Sequence, residues 1–112
     1  MDFRFTPEQD ALRQRIRDLR DRKIVPFIPD RGWSTALARG EIAHLFGLLV
    51  PIGYPGTVIP KEDGGAGLDH VSLGIFIEEL VPVFGFVALH VVPRQIALLG
   101  SAAQKQRYLS RL

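Results

Sequence analysis

The sequence contains no cysteine. That excludes a disulfide framework, a cysteine nucleophile and a thiolate zinc site, and it is compatible with a reducing compartment. No apolar run approaches the roughly 18 residues that a membrane span requires. Met1-Asp2-Phe3-Arg4-Phe5 is not followed by the apolar stretch of a secretory signal. There is no G-x-G-x-x-G, P-loop, nucleophile elbow, internal repeat, coiled-coil heptad or low-complexity tract. These absences lead to the expectation of a soluble, cytoplasmic protein with no membrane partner.

What is present suits one folded domain. The 112 residues are 46% hydrophobic, enough for a single core without staples. The formal charge is +2 and the pI about 9.4, a mild excess that names no partner. The basic residues of the first third alternate with acids: Arg13, Arg15, Arg17, Asp18, Arg20, Asp21, Arg22, Lys23. Such a run reads as a solvated helix face. No aromatic residues interleave with it, so no nucleic-acid partner is expected.

Helix signals dominate. Thr6-Pro7-Glu8-Gln9 combines an N-cap residue, a proline at the first helical position and a capping-box glutamine. Leu12, Ile16, Leu19 and the stem of Lys23 then share one face, until Pro26 and Pro29 end or kink the helix. A second helix is predicted from Ser34 to about Leu49, with Leu37, Ile42, Leu45, Phe46 and Leu49 as its stripe. Gly40 weakens it by about 1 kcal/mol relative to alanine. Residues 51–67 are rich in proline and glycine and read as a connection, with at most a short extended piece at 57–59. Asp69 caps a third helix through Val71, Leu73, Ile75, Phe76, Ile77 and Leu80, apolar almost all round and therefore mostly buried. Pro82 and Gly85 break it. A fourth helix carries Val87, Leu89, Val91, Val92, Ile96 and Leu99, kinked at Pro93 and stopped by Gly100. Ser101-Ala102-Ala103-Gln104 opens a fifth with a second capping box, followed by Tyr108, Leu109 and Leu112. The fold class is all-α: one domain over residues 1–112, an orthogonal bundle of about five helices.

Chemistry-bearing residues are few. His44, His70 and His90 lack the i, i+4 pairing of a helical metal site, so no metal is expected. His44 and His70 read as surface or capping residues, and His90 as a hydrogen-bonded core residue. Glu78 and Glu79 sit among apolar residues and diverge by about 100° on a helix, so they cannot face each other as an acid–base pair. Pairing with an arginine or capping another helix is the expected role. Asp63-Gly64-Gly65-Ala66-Gly67 superficially suggests a phosphate loop but matches no phosphate motif. Its glycines suit positive φ in a closely packed turn. No residue in the chain is a candidate catalytic group.

Four segments, in this order and spacing, resemble the amino-terminal domain of the acyl-CoA dehydrogenase family. They are Phe5-Thr6-Pro7-Glu8-Gln9 with its arginine-rich helix and Ile24-Val25-Pro26; Ile59-Pro60-Lys61-Glu62-Asp63-Gly64-Gly65-Ala66-Gly67-Leu68-Asp69; Glu78-Glu79-Leu80 leading to Val87-Ala88-Leu89-His90; and Leu99-Gly100-Ser101 with Gln104-Lys105-Gln106-Arg107-Tyr108-Leu109. The resemblance implies a three-domain parent with a β-rich middle domain and a carboxy-terminal helical bundle, both outside residues 1–112. FAD would lie mainly between those two domains and a neighbouring subunit. The carboxylate base would come, in most members, from the carboxy-terminal domain. This chain alone is therefore expected to be inactive and not to bind FAD tightly. Its implied contribution is interdomain packing and one wall of the acyl-chain cavity, at Leu89, Val92, Pro93 and Ile96. The implied partners are the missing domains or a chain supplying them, an acyl-CoA substrate and a homo-oligomer. The chain departs from the family pattern at Asp63, at Val81-Pro82-Val83-Phe84-Gly85-Phe86 and at Pro93. The alternative is a non-catalytic helical interaction module derived from that domain. A lone acyl-thioester or lipid binder rests only on the apolar fourth helix.

Overall fold

The computed structural model describes residues 2–28, 37–81 and 90–109. Helix α1 spans Pro7–Leu19. The Thr6 hydroxyl accepts from the Gln9 N–H, and the Gln9 side-chain oxygen accepts from the Thr6 N–H. Leu12 and Ile16 are buried, Leu19 is half-buried and Lys23 is exposed. Winding continues through a π-helical turn, Arg20–Ile24, and a short α-turn, Val25–Phe27. Pro26 has no N–H for the carbonyl of Arg22 and its ring crowds that turn. The helical path ends at Ile28, where ψ is 100°.

Helix α2 spans Arg39–Leu49, so it begins five residues later than the sequence pattern from Ser34 predicts. The reason is local: Ala38 is extended, and the Glu41 carboxylate reaches back to accept its N–H at 2.7 Å. Leu37 lies ahead of the helix, half-buried against the core, while Ser34 lies outside the described residues. Leu45 and Leu49 are buried.

A tightly wound connector follows. A 3₁₀ turn, Val50–Ile52, stops at Gly53, whose φ is 111°. A second, Lys61–Asp63, stops at Gly64, whose φ is 89°. The expected extended piece at 57–59 is a turn instead, because Ile59 N–H closes onto Gly56 and the buried Thr57 hydroxyl donates to Gly53 O at 2.7 Å. No strand occurs among the described residues.

Helix α3, His70–Leu80, begins where Asp69 accepts from the backbone N–H and the hydroxyl of Ser72, at 2.8 and 2.7 Å. Leu73, Ile75, Phe76 and Leu80 are buried, and Phe76 stacks on Tyr54 with ring centroids 5.6 Å apart. Helices α1 and α3 pack together over the main core, which also takes in Ile24, Leu45, Leu49 and Tyr54.

Helix α4 spans Val91–Leu99 and α5 spans Ala102–Tyr108. The described part of α4 starts at Val91, and the expected kink at Pro93 turns on residues 82–89, which lie outside the described residues. Pro82, Gly85 and Leu89 lie outside the described residues. Gly100 ends α4 in an extended conformation, not a left-handed one. A side chain there would run into the Ile96 carbonyl oxygen, so close approach is what requires glycine. Ser101 and Gln104 exchange backbone hydrogen bonds as a capping box. The pair α4–α5 encloses a second, smaller core of Ile59, Ala97 and Leu109, with Ile96 against it. Thus the described residues form five helices in an all-α fold, roughly 41 × 41 × 20 Å.

Candidate functional site

Helix α4 is apolar on two sides. Pro93 and Ala97 point inward and are buried, and Ile96 is half-buried against Ile59 and Leu109. At 3.6 residues per turn, Val91, Val92, Leu98 and Leu99 fall together on the opposite side, with Gln95 among them. That side is open: Val92 is 59% exposed, Leu98 69% and Leu99 86%. Of the residues that sequence reasoning singled out, Val92 therefore lies on the outer face, Pro93 and Ile96 on the inner one, and Leu89 outside the described residues. Sequence reasoning did not name Leu98, and it named Leu99 only among the apolar residues of the fourth helix. The helical period alone would have placed them beside Val91 and Val92.

The glycine loop turns its amides inward. The N–H groups of Gly64, Gly65, Ala66, Gly67 and Leu68 donate to the carbonyls of Lys61, Pro60, Gly56, Ile59 and Thr57. None is left to cradle a phosphate, so the loop does not fit the pyrophosphate of a dinucleotide. A side chain on Gly65 would collide with the Ile59 carbonyl. Between this loop and α5 runs an open groove of about 630 Å³, lined by Lys61, Gly64 and Lys105 among others. Across it, Lys105 lies 3.6 Å from Asp63.

The strongest electrostatic feature joins α1 to α3. Glu79, only 4% exposed, accepts from Arg17 Nε at 2.9 Å and Arg20 Nη1 at 2.8 Å, and Arg13 Nε lies 3.5 Å away. Arg13 also donates to Glu78 at 2.9 Å. The arginine pairing expected of Glu78 and Glu79 is present. Its partners are the residues read from sequence as a solvated face. Their i, i+4, i+7 spacing places them on one stripe, and that was the available clue. The bond to Glu79 raises the Arg17 guanidinium pKa, and the bond to Asp21 raises that of Arg20. Three fixed cations around one carboxylate make a structural clamp; the geometry leaves the carboxylate no free face for proton transfer.

The histidines stand apart. His44 is exposed and its ring lies 4.3 Å from that of Phe27, while His70 opens α3. His90 is half-buried, and its Nδ1 has no hydrogen-bond partner among the described residues, unlike the bonded core histidine expected. No group of three potential metal ligands occurs among the described residues, and no described helix is long and apolar enough to cross a membrane.

Residues 6–112 match the family model for the acyl-CoA dehydrogenase N-terminal domain. The chain belongs to the acyl-CoA dehydrogenase family. It is 32% identical to a glutaryl-CoA dehydrogenase of Desulfococcus multivorans, an alignment covering 100% of this chain and 30% of that protein. It is 31% identical to a cyclohex-1-ene-1-carbonyl-CoA dehydrogenase of Syntrophus aciditrophicus, over 95% of this chain and 26% of the relative. It is also 31% identical to a short-chain acyl-CoA dehydrogenase of Clostridium acetobutylicum, over 97% and 29%. The chain thus spans about 30% of the length of these acyl-CoA dehydrogenase relatives. No solved structure gives a significant match.

Proposed function

We propose that the chain serves as the first domain of a flavin-dependent acyl-CoA dehydrogenase, an oxidoreductase of the CH–CH bond. In this reading α4 lends one wall to the acyl-chain cavity, and the α4–α5 face packs against the rest of the enzyme. Val92 would line the wall, Pro93 and Ile96 would support it from within, and Leu89 would extend it. The observation that carries the reading is the two-sided apolarity of α4. One side is committed to the Ile59–Leu109 core, and the other leaves Val91, Val92, Leu98 and Leu99 uncovered. An acyl chain needs an apolar surface, and covering a side chain of this size is worth about 1.5–3 kcal/mol.

In this reading the remaining chemistry comes from other parts of the enzyme. The amides of the glycine loop are occupied and Glu79 is clamped by three arginines, so FAD phosphates and a proton-abstracting carboxylate would have to come from elsewhere. The middle β-domain and the carboxy-terminal helical domain are the proposed sources. A homo-oligomer is the proposed assembly.

A chimera tests the reading: residues 6–112 replace the matching region of the Desulfococcus multivorans glutaryl-CoA dehydrogenase. Bound flavin and acyl-CoA oxidation are the expected results. A folded, flavin-loaded chimera with no turnover on any acyl-CoA offered would sink the enzymatic reading. It would favour a helical interaction module that kept the fold and lost the chemistry.

A further inference from the structure

We infer that the α4–α5 hairpin opens from the α1–α3 body as a separate cooperative unit, parting along the seam between Ile59–Gly64 and Leu109. The two parts are held by forces of different size. The body is closed by the main core and by the Glu79 clamp, in which Arg13 and Arg17 of α1 and Arg20 of the π-helical turn reach to α3. The hairpin is closed by the small core of Ile59, Ala97 and Leu109, and the ion pair that ties it to the loop, Lys105 to Asp63, is a longer 3.6 Å contact at partly solvated side chains. Burial scales with apolar area, and among the described residues three buried side chains close the hairpin against ten in the body, so the hairpin is held less firmly. Partly solvated ion pairs add little.

Inside the hairpin the bonding is self-contained. Gly100 N–H returns to Ile96 O, and Ser101 caps α5 by its exchange with Gln104. Once released from the small core, helices of nine and seven residues are marginal in water, so their amides exchange when the hairpin opens. It exposes Ile59, Ala97 and Leu109, and it separates Leu109 from Gly64, where the Leu109 carbonyl oxygen would lie only 3.4 Å from an added side chain. Cooperative sub-units of this kind open at lower free energy than the whole fold. The inference does not rest on the enzymatic reading, since it concerns only how this chain is held together.

Hydrogen exchange on the whole 112-residue chain, under conditions where rates report opening equilibria, tests it. In the wild type, the amides of Gly100, Lys105 and Leu109 should be protected at least about tenfold less than those of Ile16 and residues 73–80. Ile16→Val then separates the alternatives. It weakens the body equally whether the hairpin is docked or open, so it should speed exchange in α1 and α3 by roughly two- to tenfold and leave the hairpin rates unchanged. Uniform protection in the wild type overturns the inference, even if that protection is negligible throughout. So does an Ile16→Val variant in which hairpin and body accelerate by the same factor.

Discussion

Arg20 grips Glu79 twice: its Nη1 donates to the carboxylate at 2.8 Å and to the backbone carbonyl of the same residue at 3.1 Å. This double bond of contact, with Arg17 and Arg13 alongside, fixes α1 against the last turn of α3. Removing the carboxylate takes away the buried acceptor that the three guanidinium groups share, while Arg13 keeps Glu78 and Arg20 keeps Asp21. Glu79→Ala should destabilise the fold by about 1–3 kcal/mol, read from denaturant unfolding. Arg17→Ala should cost markedly less, because its side chain is 46% exposed and solvent screens it. Equal costs for the two variants would contradict the clamp.

Asp69 presents a pH test. The backbone N–H of Ser72 holds its carboxyl pKa below the ordinary value of 3.8, with the Ser72 hydroxyl second. A lowered folded-state pKa means that the contribution is fully present above pH 3.8 and is lost as the pH falls through the folded value. Asp69→Ala should therefore cost about 1 kcal/mol at neutral pH, while Asp69→Asn retains most of the cap and loses its acid sensitivity. Thermal melts at pH 7 and near pH 3 check both statements.

At the alkaline end, burial pushes the Tyr54 hydroxyl up from 10.0 to about 12. A raised folded-state pKa gives stability that is fully present below pH 10 and is lost as the pH climbs towards 12. The loss should be on the order of 2 kcal/mol. In Tyr54→Phe that alkaline decline should be absent; if the variant declines as steeply as the wild type between pH 10 and 12, Tyr54 is not its source.

Two glycines should respond oppositely to alanine. At Gly65 a side chain would strike the Ile59 carbonyl, so Gly65→Ala should destabilise by more than about 2 kcal/mol or prevent folding. At Gly40, in the first turn of α2, nothing lies within 4 Å of an added side chain. Gly40→Ala should stabilise by up to about 1 kcal/mol. Differential scanning calorimetry of the two variants side by side measures the contrast.

Much of this architecture was legible in local chemistry. Thr6, Asp69 and Ser101 announce their helices because a cap is decided within four residues, and all three cap as read. The glycine loop was legible for the same reason, since Gly64 and Gly67 need positive φ. What escaped depended on distant or competing groups. The apolar pattern placed the start of the second helix at Ser34, yet the Glu41 bond to the Ala38 N–H sets the start of α2 at Arg39. Arg13, Arg17 and Arg20 looked solvated because their partner lies about 60 residues away along the chain. For the candidate site, the apolar character of the fourth helix was plain, but which of its sides faces inward depends on Ile59 and Leu109.

The arginine clamp also limits how α1 can change length. Arg13, Arg17 and Arg20 converge on one carboxylate only because their spacing keeps them on a single stripe. One residue inserted between Arg13 and Arg17 would rotate Arg13 by about 100° relative to the other two and shift it by about 1.5 Å along the axis. Lineages of this domain should therefore accommodate added or deleted residues before Thr6 or after Ile28 far more readily than within that seven-residue interval.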